Sequence, residues 1–521
     1  MKIKLFIVAT VLFFTLIGTL QIWTSAYGDY DLDEYSSVTE GTGNLLTIDS
    51  SFNNKPFKLQ DFVKPNKYKD LLAINTFCGG NGFLYSLISN VWLQWSFEST
   101  RMVRFLSVLF YLASTLLVFY ISLSLFKDKI SAFLAVFLFS LNPLILEYGS
   151  NFRMYMAGTF LTLLATLLFL KWLDCKDKKK KTYLAIGYGL VSGMSLLIHY
   201  FCVFILIGHG FYLLLLLFKK KTKFNLALCL PYILSTSILF SWLLYAGIDG
   251  FKYMSENSAE HLKIAKGIGH IGLSNIKETN LEEIAIYLYK SFCLWSENYA
   301  YWEYFNYGVS FRYILMLMLA PVFLLAFGLL NKKNKEGEEK LHILLLVILG
   351  LVSFAFLIFF AFNSGHTVSL MLKYTIFSFP YLWILAAYGF RQSLLSKNKL
   401  LKISSYIALI AICLNTLFNV YFRVRDLTKE NENGYITAQS ILPAKLRQFK
   451  EENTWVLKSN NIKVINELLG YIKVPNNISI QTDTNYSSSG IVLHNSKTEQ
   501  DILLFSLNSG QLEQLNDMRK N

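Results

Sequence analysis

The sequence predicts an all-α polytopic membrane protein, about eleven transmembrane helices long, followed by a small C-terminal α/β domain. Three observations carry that expectation. Of 521 residues, 54% are hydrophobic and only 16% charged, with a mean hydropathy of +0.39, a balance foreign to ordinary soluble domains. Uncharged apolar stretches of roughly 17–25 residues, enough to cross ~30 Å of hydrocarbon, recur along most of the chain. Short basic runs separate every second pair of them.

Taken in order, the spans are expected at 4–23, 105–126, 131–148, 154–173, 182–198, 201–218, 224–247, 311–331, 341–362, 374–391 and 400–421. The net charge of +14 gathers in Lys127 and Lys129, Lys176 to Lys181, Lys219 to Lys223, Lys332 to Lys340 and Arg391 to Lys402. That spacing is the positive-inside signal of cytoplasmic loops. Nucleic acid is excluded as a partner, because no basic patch with interleaved aromatics accompanies the charge. The N-terminus is then cytoplasmic in a plasma (inner) membrane, with residues 1–24 a retained anchor. The six cysteines show no metal or redox spacing; Cys78 and Cys293 fall in outer loops where a bridge could form, and unpaired thiols are the preferred reading.

Two loops on the outer side, 24–104 and 248–310, are too long for plain connectors. Each carries amphipathic material expected to lie in the membrane interface. Gly82–Phe97 is uncharged but short. In Leu281–Phe292, Ile284, Leu288 and Phe292 recur at helical spacing. The cluster Trp295, Tyr299, Tyr301, Trp302, Tyr304 and Phe305 reads as an interfacial aromatic belt or a stacking surface. His209, inside a span, reads as a packing residue. The domain boundary is expected at 421/422. Beyond it, β-type runs at Trp455–Leu457, Ile478–Ile480, Ile491–Leu493 and Ile502–Phe505 alternate with helix-like stretches such as Ala444–Glu452.

Unusual polar groups fall on the outer side only. Asp29, Asp31, Asp33 and Glu34 lie just past the first span, where carboxylates are costly to keep near hydrocarbon. Asp29 and Asp31 read as solvated loop charges. Asp33 and Glu34 offer a general base or a ligand for a divalent metal. Arg101, Arg104, Arg153, His199, His366 and Lys373 offer cations or donors at loop–helix junctions. One carboxylate cluster with several cations suits an anionic phosphate leaving group and an acceptor that must be deprotonated.

The order of short motifs adds a resemblance. Asp33-Glu34 follows the first span. Gly82-Phe83-Leu84-Tyr85 and Arg104-Phe105-Leu106-Ser107 follow in turn. Asn142-Pro143 precedes Tyr148-Gly149-Ser150-Asn151-Phe152-Arg153-Met154-Tyr155. His199-Tyr200 and Lys373-Tyr374 with Pro380 complete the set. Over about residues 1–395 this layout resembles the GT-C superfamily of membrane glycosyltransferases, in the protein O-mannosyltransferase-like branch (glycosyltransferase family 39) that includes the aminoarabinose transferases.

The resemblance implies a sugar donor on a polyprenyl phosphate and an acceptor protein, glycolipid or polysaccharide at the extracytoplasmic face. It implies Asp33 and Glu34 as catalytic residues, with Arg153, Lys373, Arg104 and His199 binding the donor phosphate. Tyr85, Tyr155, Tyr200 and His366 are expected to line the substrate site. No cofactor is certain, and a divalent metal at Asp33 and Glu34 stays open. Two departures stand out: Asn151 where the pattern usually has Glu, and Lys373 where Arg is usual, which keeps charge but loses bidentate geometry. A lipid-linked glycan transporter or flippase, a glycan polymerase or ligase, and a non-catalytic scaffold are the competing readings.

Overall fold

The structure, a computed structural model, describes residues 3–25, 32–43, 71, 82–96, 100–221, 226–267, 276–294, 337–429 and four strands between 455 and 506. Its helices are α1 (Ile3–Thr24), α2 (Leu32–Thr42), α3 (Leu84–Ser96), α4 (Thr100–Phe126), α5 (Lys129–Ser140), α6 (Pro143–Ser150), α7 (Met154–Asp174) and α8 (Lys178–Ile198). They continue as α9 (Val203–Phe218), α10 (Leu230–Trp242), α11 (Ile248–Ala265), α12 (Leu281–Tyr289), α13 (Gly337–Ser364), α14 (Phe379–Leu395) and α15 (Lys399–Lys429). Among the described residues five helices are long and apolar enough to cross a membrane, or seven if each bent pair counts as one.

Local chemistry sets the boundaries. Asp128 caps α5 through the Ile130 and Ser131 N–H groups, and Asp177 caps α8 through Lys180 N–H. The expected span 131–148 is not one helix: α5 and α6 meet at 65°. Asn142 accepts from Ile145 N–H and Pro143 takes the first helical position, which starts a new helix where the old one would have run on. The span at 374–391 also begins later than expected, because His366–Thr375 winds as two 3₁₀ turns before Pro380 opens α14.

Past α10 a π-helical turn, Leu243–Gly247, leads into α11, so the start of the long loop is helical. The last helix runs to Lys429, past the expected boundary at 421. The expected span 311–331, the aromatic cluster at 295–305, Cys78 and the helix at 444–452 lie outside the described residues.

Helix α3 is about 20 Å long at 1.5 Å per residue, short of the hydrocarbon thickness, as expected of an interfacial element, and Trp95 is exposed on it. Helix α12 differs from expectation. Its apolar face meets protein instead of lipid: Ile284 and Tyr287 are buried, and Tyr287 and Phe292 pack their rings on Phe354 of α13 at 5.9 and 5.0 Å.

The described helices join head to tail so that two ends of the bundle differ in chemistry. At one end lie the described basic residues at 127–129, 176–181, 219–221 and 391–402, with Arg391 Nε donating to Asp128 at 3.1 Å and Tyr388 donating to Glu339. At the other end meet the junctions 151–153, 199–202 and 365–378.

Mid-bundle, α7, α8, α9 and α14 share one polar network. Thr166 Oγ1 donates to Thr162 O at 2.8 Å and stands 3.0 Å from His209 Nε2 and 2.6 Å from the Tyr381 hydroxyl. The Tyr188 hydroxyl lies 3.0 Å from His209 Nδ1. Thr166 has spent its proton, so His209 donates from Nε2 and accepts from Tyr188 at Nδ1. Each polar group has a partner, as the interior of a membrane bundle requires.

Four strands, β1 (Trp455–Ser459), β2 (Ile478–Thr482), β3 (Gly490–Asn495) and β4 (Gln500–Ser506), form a sheet of order β2-β1-β3-β4. They cover the four expected β-type runs. The β1–β2 pair is parallel and the other two are antiparallel.

Replacing His209 by Leu strips a partner from both Tyr188 and Thr166 in a dry interior. We expect a loss of about 1–2 kcal/mol, read as a lower thermal unfolding midpoint in detergent. An unchanged midpoint would show that the network does not hold the helices together.

Candidate functional site

The site is organised by one buried carboxylate. Glu34 is 1% exposed on α2. Arg104 of α4 grips it with a two-pronged fork, Nε to Oε1 at 2.8 Å and Nη2 to Oε2 at 2.6 Å. Phe152 N–H, between α6 and α7, donates to Oε1 at 2.6 Å. The third guanidinium nitrogen, Nη1, reaches Ser25 O at 3.4 Å, just past α1. Two charges withdrawn from water need such complete bonding to be tolerated. Asp33 is the preceding residue of the same helix.

The next residue of the junction, Arg153, is 7% exposed. Its Nη1 donates to Ser37 Oγ at 2.9 Å, so α2 engages Phe152 through Glu34 and Arg153 through Ser37, one turn apart. Nothing in the sequence pattern singled out Ser37. Its i+3 spacing from Glu34 is the signal that was available. At the far end of α2, Asn90 of α3 donates to Gly41 O at 3.0 Å.

Beyond Arg153 the site continues as alternating cations and rings. Arg153 Cζ lies 5.8 Å from the centroid of the Tyr155 ring. That ring is 5.7 Å from the His199 imidazole, which is 6.1 Å from Tyr374. Lys373 Nζ sits 5.7 Å from the Tyr374 centroid. Phe201 and Phe377 close the wall around His199 at 5.2 and 5.4 Å. Tyr148 packs on Tyr155 at 4.8 Å, and Tyr85 of α3 on Phe152 at 5.9 Å.

Backbone geometry sets His199. Helix α8 ends at Ile198, the chain turns extended at His199, and its Nδ1 accepts from Phe201 N–H at 3.1 Å, capping the 3₁₀ turn Tyr200–Cys202. Burial, with the Arg153 and Lys373 charges, holds the imidazole down to about 3. Burial also pushes the Tyr85 hydroxyl far above its ordinary range, so it stays protonated.

Two glycines permit the approach. A Cβ on Gly82 would meet the Leu197 backbone at 2.2 Å, and one on Gly158 would meet Phe377 Cε1 at 2.7 Å.

The structure therefore brings together seven of the expected residues: Glu34, Arg104, Arg153, Lys373, His199, Tyr85 and Tyr155. Asp33 is placed by its helix backbone alone. Tyr200 turns toward α10, where Trp242 Nε1 donates to its hydroxyl at 2.9 Å. His366 belongs to a different contact set. Ser258 Oγ lies 2.9 Å from its Nε2, and the His261 ring is 5.5 Å away. There it ties α11 and residues 277–279 to the start of the α13–α14 connection.

A divalent cation does not fit Glu34, whose two oxygens face a guanidinium fork and an N–H. Among the described residues no three His, Cys, Asp or Glu side chains gather as ligands.

Fold and site together define a polytopic helical membrane protein with a cationic, aromatic-walled site at one end of its bundle. No family model matches the sequence, and no curated protein matches it. Among solved structures the chain is similar to the oligosaccharyltransferase of Archaeoglobus fulgidus in its apo form, at 11% identity and a TM-score of 0.46. That match covers 92% of this chain and 62% of that one. The chain thus spans less than two thirds of the archaeal enzyme's length. It is also similar to ArnT from Cupriavidus metallidurans bound to undecaprenyl phosphate, at 11% identity and a TM-score of 0.49, over 90% of this chain and 85% of that one.

Two outcomes check the geometry. Glu34→Gln leaves Arg104 buried beside a neutral amide. It should cost about 3–5 kcal/mol, and the Glu34→Gln, Arg104→Gln double variant should cost less than the two singles added. Additive losses would mean the pair is not coupled.

The low His199 value has a definite sign. Between the unfolded histidine range near 6.5 and about 3, the unfolded chain binds a proton that the folded one refuses, so stability falls as pH drops below roughly 6.5. Going from pH 7 to 5, the wild-type unfolding midpoint should fall further than that of His199→Asn. Equal falls would place the lost stability at other groups.

Proposed function

We propose that this chain is a membrane glycosyltransferase that moves a sugar from a polyprenyl-phosphate donor to a hydroxyl acceptor on the extracytoplasmic face, with inversion. The observation that carries the reading is the meeting of Arg153, Lys373 and His199 beside the helix that bears Asp33-Glu34. A phosphate leaving group needs cations held in a sheltered place. An acceptor needs a base on the same side of the membrane.

In the proposed reaction Asp33 takes the acceptor proton, and the acceptor oxygen attacks the anomeric carbon. The bond from that carbon to the phosphate oxygen breaks, and polyprenyl phosphate leaves with the electron pair. Arg153 and Lys373 balance the charge gathering on it in low-dielectric surroundings. Glu34 and Arg104, each satisfied by the other, hold the architecture in this scheme and do not meet the substrate. No step runs through a metal.

The positive-inside rule supports the sidedness, since the basic runs lie at the end of the bundle opposite the site. With the expected eleven spans, the C-terminal sheet belongs to an extracytoplasmic α/β domain. The acceptor class, protein, glycolipid or polysaccharide, is left to experiment.

Replacing Asp33 by Asn should lower transfer by roughly 10²–10⁴-fold without changing yield or unfolding midpoint. The assay follows a labelled polyprenyl-phosphate sugar in proteoliposomes for release of polyprenyl phosphate. Near-normal turnover would remove Asp33 as the base. Movement of intact donor across the bilayer without cleavage would favour the flippase reading instead.

A further inference from the structure

We infer that His366 is a pH-sensitive latch: uncharged, it fastens helix α11 to the turn that leads to Lys373, and charged, it lets that helix go. This goes beyond the transferase reading and stands whether or not a sugar is transferred.

The latch begins where α13 stops. Gly365 enters the left-handed region at φ 75°, and its N–H closes on Ala361 O at 2.9 Å. The chain turns extended at His366, whose Nδ1 accepts from Val368 N–H and caps the 3₁₀ turn Thr367–Leu370. A ring nitrogen that accepts carries no proton, so the neutral ring holds its proton on Nε2. That nitrogen lies 2.9 Å from Ser258 Oγ of α11 and donates to it. One nitrogen serves the turn and the other serves the helix, on a side chain only 5% exposed.

Helix α11 presents a matching face. Ser258, His261 and Leu262 stand at i, i+3 and i+4. The His261 ring meets His366 edge-on at 5.5 Å, and a Cβ on Gly365 would meet the Leu262 side chain at 3.0 Å. At its other end α11 leaves α10 at 75°, through the π-helical turn Leu243–Gly247, a geometry that marks a hinge. Residues 277–279 hold the same segment by backbone bonds alone: Thr279 N–H to Gly365 O and Thr367 N–H to Lys277 O, each at 3.0 Å. Those two bonds contain no group that titrates near neutral pH.

Acid acts on the ring. A second proton can only go to Nδ1, where it would face Val368 N–H donor to donor, so a charged ring cannot keep the cap. Burial, then the charge of His261, holds His366 below the ordinary histidine range, while its own backbone and that of Ser258 pull the other way. Burial lowers His261 too, against the pull of Glu260. Each latched ring refuses a proton that a released ring takes near 6.5, so falling pH favours release below roughly 6.5. The other charges nearby are accounted for. On α11, Glu256 and Lys263 are exposed. Lys277 pairs with Glu283 at 2.6 Å, and Glu278 and Glu282 are exposed. Lys373 lies on the following turn, and the last turns of α13 carry no ionisable side chain.

The test is hydrogen–deuterium exchange of the full-length chain in detergent at pH 7.5 and pH 5, corrected for the intrinsic pH dependence of amide exchange. It is read over residues 248–265 and 366–370, because a helix of 18 residues stripped of its packing frays in water. We expect both wild-type segments to exchange about 10-fold faster or more at pH 5. In His366→Asn the amide oxygen keeps the cap and does not titrate, so the pH response should vanish. In Ser258→Ala, α11 should exchange at pH 7.5 about as fast as wild type does at pH 5, with 366–370 still protected. Wild-type exchange that is the same at both pH values would overturn the latch. So would a wild-type pH response in His366→Asn, or full protection of α11 at pH 7.5 in Ser258→Ala. Should His366→Asn fail to fold, the wild-type and Ser258→Ala arms decide.

Discussion

The end of the bundle that carries the site is tied together by the ion pair between Glu34 and Arg104. Removing a carboxylate and a guanidinium from water costs several kcal/mol per ion, repaid only where the geometry is complete. Here the fork is two-pronged, and the remaining contacts go to Phe152 N–H and Ser25 O. One carboxylate thereby joins the end of α1, helix α2, the start of α4 and the α6–α7 junction. The position of Arg153, one residue past Phe152, and of Asp33, one residue before Glu34, both inherit from it.

A second polar centre acts in the same way deeper in the bundle. The His209 network joins four helices that lipid-like packing alone would leave free to rotate. The two centres are chemically separate. The first is ionic and borders the aromatic wall, whereas the second is neutral and lies mid-bundle. Both are architectural, and the second agrees with the packing role expected of His209 from its place inside a span.

Much of this was legible in the sequence because the signals were local. Apolar length located most helices, Asn142-Pro143 held the information for the break that length alone concealed, and short runs of β-type residues marked Trp455–Leu457 and its three companions as strands. The site residues were legible as a set, through their places at helix junctions expected at one end of the bundle. Their pairing was not. Glu34 and Arg104 are 70 residues apart, and nothing in either neighbourhood says that each will consume the other's charge. Ser37 carries no signal beyond its spacing. Tyr200 and His366 sit at the right junctions but turn to Trp242 and Ser258, a matter of side-chain direction that only tertiary packing decides.

The Glu34–Arg104 pair has a consequence for the order of assembly. Its two charges are satisfied by residues 25, 34, 104 and 152 together, so neither ion is compensated until the α6–α7 junction has docked on α2 and α4. Until then each keeps its water, because giving it up alone costs several kcal/mol. The contact closes late for a chain made from its N-terminus.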